Sequence, residues 1–352
     1  MYRKEICGKI EAADASAMEQ ARKHWMSVGK PLFSLGKLED AVVKIAGIKG
    51  TPDYRLDKKG LIIMCADNGV VEEGVTQTGR EVTAIVAENF TKGMASVCLM
   101  SRQAGVDIFP VDIGMAVDVP ALTKDGQKVA YGTRNFAKEP AMTKEEVWRA
   151  IRIGIDMAAG MKERGYEIIA TGEMGIGNTT TSSAVLSVLL QTEPRLVTGR
   201  GAGLSREGLK RKVETIEKGI GLWQPDREDG IDVLAKVGGL DLAGLAGVFL
   251  GGALYRLPVV VDGLIASAAA LAAVKICPAA KNCMLASHVS AEPAGGQVLD
   301  ALGLRPIIYG NMCLGEGTGA VSLFPLLDMA AAVYDRMSTF SQIQIEEYRP
   351  LT

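Results

Sequence analysis

The chain has 352 residues, enough for one large core with a smaller appendage. Hydrophobic residues make up 48% of it and charged residues 23%, an ordinary globular balance that argues against disorder. Its 39 basic and 41 acidic side chains leave a formal charge of -2, which excludes a broad field for nucleic acid or anionic lipid, so any anion must be held locally.

Residues 1–55 read as helices without a strand. The opening MYRKEICGKIEAADAS has neither the apolar run of a secretory signal nor the acid-poor composition of a transit peptide, and a cytoplasmic location is expected. The six cysteines, Cys7, Cys65, Cys98, Cys277, Cys283 and Cys313, are scattered without a C-x-x-C pair and are read as reduced thiols. From residue 56 a pattern recurs in which a short β-rich run ends in a polar turn. LIIMC (61–65) meets Asp67, VDIFPV (106–111) meets Asp112, and EIIAT (167–171) meets Glu173. LPVVV (257–261) then meets Asp262, NCMLA (282–286) meets His288, and PIIYG (306–310) precedes Glu316.

These runs are nearly continuous in apolar residues, as expected of parallel strands covered on both faces. Between them lie helical stripes such as residues 80–105 and 144–165. The expected fold is α/β: a Rossmann-like, six-stranded parallel sheet with helices on both faces, spanning residues 56–320. Residues 1–55 with 321–352 are expected to form a small helical domain. The apolar stretch 242–274 is broken by Arg256, Pro258 and Asp262 before it reaches the ~20 residues a membrane span needs, and reads as a buried helix, strand and helix. Ligands of open parallel sheets bind beyond the carboxyl ends of the strands, where Asp67, Asp112, Glu173, Asp262, His288 and Glu316 gather.

Three glycine clusters carry candidate chemistry. In GEMGIGNTTTSS (172–183), Gly175 and Gly177 allow close backbone approach, Ile176 lies between them, and Asn178 and Thr179 open a helix whose free N–H groups suit a phosphate. The loop lacks the third glycine of a dinucleotide fingerprint and the lysine of a Walker loop, and the alternative to a phosphate loop is a well-capped helix after a tight turn. TGRGAGLSREGLKRK (198–212) surrounds Gly201 and offers Arg200, Arg211 and Lys212 as cations for a phosphate; for Arg211 a solvated helix face is the simpler reading. LGEGTGA (314–320) sets Glu316 beside Gly315 among small residues, where a desolvated carboxylate gains basicity, although turn glutamates flanked by glycine are commonly just exposed. The two histidines, His24 and His288, stand far apart without a metal-ligand spacing or a serine elbow, so neither a metal nor a Ser-His-Asp triad is expected.

In their order and spacing, GEMGIGNTTTSSAVL, GRGAGL, VGGLDLAGLAG, VVVDGLIASAAAL, SHVSAEP and LGEGTGA closely resemble the nicotinate-nucleotide:dimethylbenzimidazole phosphoribosyltransferases of cobamide biosynthesis, over about residues 30–335. The resemblance implies a dimer, of the chain with itself or a close homologue, and displacement of nicotinate from nicotinate mononucleotide by a lower-ligand base. It also implies that Glu316 is the catalytic base and Glu173 a second active-site acid, that Gly175 to Thr179 hold the phosphate, and that Lys212 stands on the phosphate side. The donor's pyridine nitrogen is already cationic, so nicotinate leaves without a cofactor.

The chain departs from the family pattern at Asn68, where histidine is usual, and at Ala294-Gly295. A third departure bears on the acceptor: the family's Pro-Gln-Glu-Val-Thr reads Gly79-Arg80-Glu81-Val82-Thr83. Arginine cannot accept a hydrogen bond, and its charge suits a phenolate-like oxygen, so Arg80 is a candidate reader of an aromatic base or phenol; the alternative is that it faces solvent. Two rivals stand beside this reading: a subunit of a heteromeric phosphoribosyltransferase that activates phenolic lower ligands, and a nucleotide-dependent oxidoreductase.

Overall fold

The computed structural model describes residues 2–122 and 126–349. Helices α1 (Tyr2–Lys9), α2 (Ala15–Ser27) and α3 (Lys37–Lys49) lead into strand β1 (Lys59–Ala66). Helices α4 (Glu81–Lys92) and α5 (Ser96–Ala104) precede β2 (Val106–Gly114), and α6 (Lys144–Glu163) precedes β3 (Ile168–Met174). Helices α7 (Asn178–Leu190), α8 (Pro194–Val197), α9 (Arg206–Trp223), α10 (Gly230–Val237) and α11 (Leu240–Leu254) follow without a strand. The chain closes with β4 (Val259–Val261), α12 (Leu264–Ile276), β5 (Met284–Ala286), α13 (Gly295–Leu302) and α14 (Thr318–Arg336).

The fold is α/β with one parallel sheet of five strands in the order β2-β1-β3-β4-β5. The continuous apolar runs are explained by the pleat. In β1, Ile62 and Met64 join a cluster with α6, α7, α11 and α12, whereas Leu61, Ile63 and Cys65 join one with α3, α4, α5 and α14. Val260 and Leu285 repeat the switch in β4 and β5, so both faces must be apolar. The stretch 242–274 is, as expected, a buried helix, strand and helix, and among the described residues no helix is long and apolar enough to cross a membrane.

Two expectations need correction. The sixth strand is reduced to one parallel bridge, Ile308 to His288. Its partner β5 is only three residues long, and Ser287 then turns the chain, its carbonyl accepting from both Ile307 and Ile308 N–H groups. The stripe 80–105 is two helices, broken where Gly93 takes φ +70°. At the two ends of the chain, Trp25 and Ala21 of α2, Val42 and Ala46 of α3 and Ala330 and Tyr334 of α14 form their own apolar cluster. The first half of α14, from Ala320 to Leu327, instead packs under the sheet.

The tightest packing joins α6 to α11, which cross with their backbones in contact at glycines. A methyl group at Gly154 would lie 2.7 Å from the Val248 nitrogen, and one at Gly247 would lie 2.8 Å from the Ile151 carbonyl carbon. Both helices belong to the apolar layer that covers Ile62 and Met64 of β1 and Ile169 of β3. Gly247→Val is expected to lower stability by about 3 kcal/mol or more, because neither backbone can give way; the melting temperature of the purified variant checks it.

Candidate active site

The strand order changes direction between β1 and β3, and the loop beyond β3 opens there, where ligands of open α/β sheets bind. Beyond β3, β4 and β5 lies a crevice of 220 Å³ whose walls include Glu173, Gly175, Ile176, Asn178, Thr179, Gly201, Asp262, His288, Gly315 and Glu316. A larger cavity of 710 Å³ sits elsewhere, between α2, α3 and the end of α13. It is lined by Trp25, Phe33 and Leu304 and holds none of the candidate residues, so size alone does not mark the reactive site.

At one end of the crevice, Gly177 takes φ +94° and ends the loop from β3, so that α7 begins at Asn178. The Asn178 N–H donates back to the Gly175 carbonyl at 3.0 Å and the Thr180 N–H to the Gly177 carbonyl at 2.9 Å, which tightens the loop at the helix N-terminus. The Ile176 N–H is already used, donating to Thr83 Oγ1 at 3.0 Å. Lys212 reaches the same place from α9. Its ammonium is only 1% exposed and donates to Thr179 Oγ1 at 2.8 Å and to the Gly199 carbonyl at 3.2 Å. Burial lowers its pKa to about 8, with Glu292 acting the other way. Gly201, at φ +54°, closes on this pair: a methyl group there would lie 2.9 Å from Thr179 Oγ1. A helix N-terminus, a hydroxyl and a buried ammonium converge as a phosphate requires.

At the other end the acids gather. Glu173 is 6% exposed, Asn178 Nδ2 donates to its Oε2, and the Glu316 backbone amide faces its carboxyl. Burial pushes its pKa up to about 8, with Asp241 and Asp262 adding to the rise. Glu316 sits in the turn before α14 at φ +61°, a left-handed conformation costing a non-glycine residue about 1–3 kcal/mol. One of its carboxylate oxygens accepts from Val97 N–H, in the first turn of α5, at 3.2 Å. Desolvation raises its pKa; that hydrogen bond pulls it down and the charge of Asp262 adds to the rise.

Asp262 holds the turn in place by accepting from Gly317 N–H at 3.2 Å and Ala320 N–H at 2.9 Å. It faces His288, whose Nδ1 lies 3.0 Å from Ser287 Oγ. Burial raises the Asp262 pKa and lowers that of His288, each offset in part by the other's charge.

Four of the six acids and histidines at the strand ends thus share the crevice. Asp67 and Asp112 serve local turns instead: Asp67 accepts from Ala116 N–H at 2.7 Å, while Asp112 accepts from Met115 N–H and pairs with Lys128 at 2.9 Å. Arg80 stands apart from the crevice walls, with its guanidinium 3.1 Å from Glu72 and 3.2 Å from the Gly69 carbonyl. Arg211 donates to the Gly74 carbonyl. Sequence reading passed over Ser290, Glu292 and Leu314, which also line the crevice, and Asp241, whose charge bears on Glu173. The string SHVSAEP was the available signal for the first two; Asp241 had none beyond its place in VGGLDLAGLAG.

A phosphate-type pocket at one end of a crevice and two carboxyls of raised pKa at the other define an enzyme that holds a phosphorylated substrate for proton-coupled group transfer. Comparison with known proteins narrows the class. The sequence profile of a family described as phosphoribosyltransferase matches residues 10–345. A nicotinate-nucleotide–dimethylbenzimidazole phosphoribosyltransferase of Ruminiclostridium cellulolyticum is 46% identical over 99% of both chains, and one of Acetivibrio thermocellus is 48% identical over 95% of both. The crystal structure of CobT from Thermus thermophilus superposes with a TM-score of 0.89 at 37% identity, covering 95% of this chain and 100% of that one. The chain belongs to the nicotinate-nucleotide–dimethylbenzimidazole phosphoribosyltransferase family, and it is a pentosyltransferase.

A raised carboxyl pKa also bears on stability. Between the unperturbed 4.5 and about 8, Glu173 keeps its proton in the folded chain and loses it in the unfolded one, so its contribution to stability declines as pH rises through that window. Glu173→Gln is therefore expected to gain on the parent, by roughly a few kcal/mol, as pH is raised from about 5 to about 8. Melting temperatures of both proteins across that range check it; a difference that does not change with pH contradicts a buried, protonated Glu173.

Proposed function

We propose that this enzyme transfers the phosphoribosyl group of nicotinate mononucleotide to 5,6-dimethylbenzimidazole or a related aromatic base, releasing nicotinate and an α-riboside 5′-phosphate. The observation that carries the reading is the two-ended crevice: Lys212, Thr179 and the start of α7 at the phosphate end, Glu173 and Glu316 at the other. The relatives' names supply the substrates.

The phosphate docks at the N-terminus of α7, against the Thr179 N–H and hydroxyl, with Lys212 as counter-ion; the ribose then lies along Gly175, Gly201 and Gly315. The C1′–N bond to the pyridinium breaks as a ring nitrogen of the incoming base forms its bond from the opposite face, which inverts β to α. The electron pair of the broken bond neutralises the pyridinium, so nicotinate departs without protonation. The cation left on the new riboside loses its N–H proton to Glu316, held toward the acceptor by the Val97 N–H and the turn that Asp262 clamps. Electron density from Asp262 and its neighbours favours the cationic ribosyl group in between.

The acceptor's identity belongs to this proposal. In the free protein Glu72 already pairs with Arg80, so for Arg80 to read a phenolate it must first leave that pair. The cluster of α2, α3 and the end of α14 is taken as the core of a small helical domain, residues 1–55 with 321–352, and the active unit as a dimer in the cytoplasm.

The test mixes the pure chain with nicotinate mononucleotide and a panel of benzimidazoles, purines and phenols, and follows nicotinate release by chromatography. Release with a benzimidazole supports the reading; release only after a second homologue is added would make the chain one subunit of a heteromer. Glu316→Gln is expected to lower kcat by about 10²–10⁴ with every acceptor while KM for the mononucleotide stays near its starting value. Arg80→Gln is expected to leave the ranking of acceptors unchanged; a reordered ranking would make Arg80 a reader of the base.

A further inference from the structure

Behind Glu173 lies a second acid that the proposed chemistry does not use. Asp241, in the first turn of α11, is fully buried. Its Oδ1 accepts from Leu242 N–H at 2.9 Å, and its Oδ2 has no hydrogen-bond partner. That free oxygen is aimed at the phosphate loop: a methyl group at Gly175 would lie 2.9 Å from it. The Asn178 amide stands between the two acids, donating to Glu173 Oε2 while facing Asp241. Asn68, 0% exposed, faces Asp241 from the end of β1 and has its own Oδ1 without a partner.

The groups that bear on Glu173 are Asp241 from α11, Asp262 from beyond β4, Asn178 from α7 and the Glu316 amide; the buried Cys65 thiol faces it from β1. Those around Asp241 are the Asn68 and Asn178 amides and the N–H groups that open α11. No lysine or arginine is among either set. Two buried carboxyls joined by one amide and lacking a cation cannot both ionise at low cost, and each charge formed opposes the other.

We infer that Asp241 is a positioning residue: its charge holds the Glu173 carboxyl protonated at neutral pH, and through the Asn178 amide it fixes that carboxyl's orientation. The inference rests on the reading of the crevice as a phosphoribosyl-transfer site. Its consequence is a division of labour. With Glu173 already carrying a proton, the proton released by the incoming base has one destination, Glu316, and Glu173 offers the substrate a hydrogen-bond donor instead of a second anion. Burial drives both carboxyls in this direction, Asp241 to about 6 and Glu173 to about 8, and Asp241 is the largest charge acting on Glu173.

The test has two readouts. In the first, the pH dependence of kcat is measured with saturating nicotinate mononucleotide and dimethylbenzimidazole for the parent and Asp241→Asn. Loss of the Asp241 charge lets Glu173 ionise more easily, so the alkaline limb moves toward lower pH by at least one unit while KM for the mononucleotide changes less than threefold. A uniform fall in kcat with the limb unmoved would mean a structural role only and overturn the inference. The second readout needs neither catalysis nor a folded Asp241 variant. Infrared difference spectra of the parent at pH 7 are expected to show a protonated-carboxyl stretch that vanishes in Glu173→Gln. No such band, or one that survives in Glu173→Gln, overturns the inference even where nicotinate release is robust; the band without any nicotinate release leaves the inference standing and sinks the proposed function.

Discussion

The crevice depends on how closely the turn Gly315-Glu316-Gly317 is pressed onto the end of β3. A methyl group at Gly172 would lie 2.9 Å from the Glu316 carbonyl carbon, and one at Gly315 would lie 2.7 Å from Glu173 Oε1. That contact buries Glu173 and sets the Glu316 backbone amide facing its carboxyl. It is maintained by Asp262, whose two carboxylate oxygens take N–H groups on either side of the start of α14. The strain of Glu316 at φ +61° is tolerated because the turn is held from both directions, by Asp262 behind and by the α5 N-terminus in front.

Charge is distributed along the crevice in keeping with this geometry. The buried cation, Lys212, is at the phosphate end and the carboxyls are at the other. Desolvation acts on both in the direction of neutrality, lowering the lysine and raising the acids. The side chains of the site are therefore closer to neutral than their composition suggests. Arrival of a phosphate dianion beside Lys212 restores that ammonium's full charge, and a cationic ribosyl group at the other end favours ionisation of Glu316 and Asp262, so both ends gain electrostatic strength when the substrate is in place.

Much of the site was legible in the chain because its chemistry sits in short, glycine-rich strings that each follow a strand. Gly175 to Thr179 and Glu316 were visible in that way, and the structure brings them with Glu173, Gly201, Lys212 and Asp262 into one crevice. Where the reading exceeded the structure, the causes are physical. PIIYG has the composition of a strand but faces a β5 of three residues, too short to pair with it. Asp67 and Asp112 stand at strand ends like Glu173, but β1 and β2 lie on the other side of the switch point, where their carboxylates satisfy N–H groups of turns.

The sequence by itself determined the parallel α/β class, since several short apolar runs alternate with amphipathic helices, as strands buried on both faces do. It also determined that a row of acids and a histidine stands at the strand ends, beside glycine-rich turns. The tertiary structure alone decided which members of that row meet. Asp241 reaches Glu173 from 68 positions away in the chain through Asn178, and Glu316 finds its hydrogen-bond donor at Val97, 219 positions away. Local periodicity carries no information about such pairs. They exist because the sheet order places β3 between β1 and β4, so segments distant in the chain end at one rim, where burial rather than residue type sets each carboxyl's proton affinity.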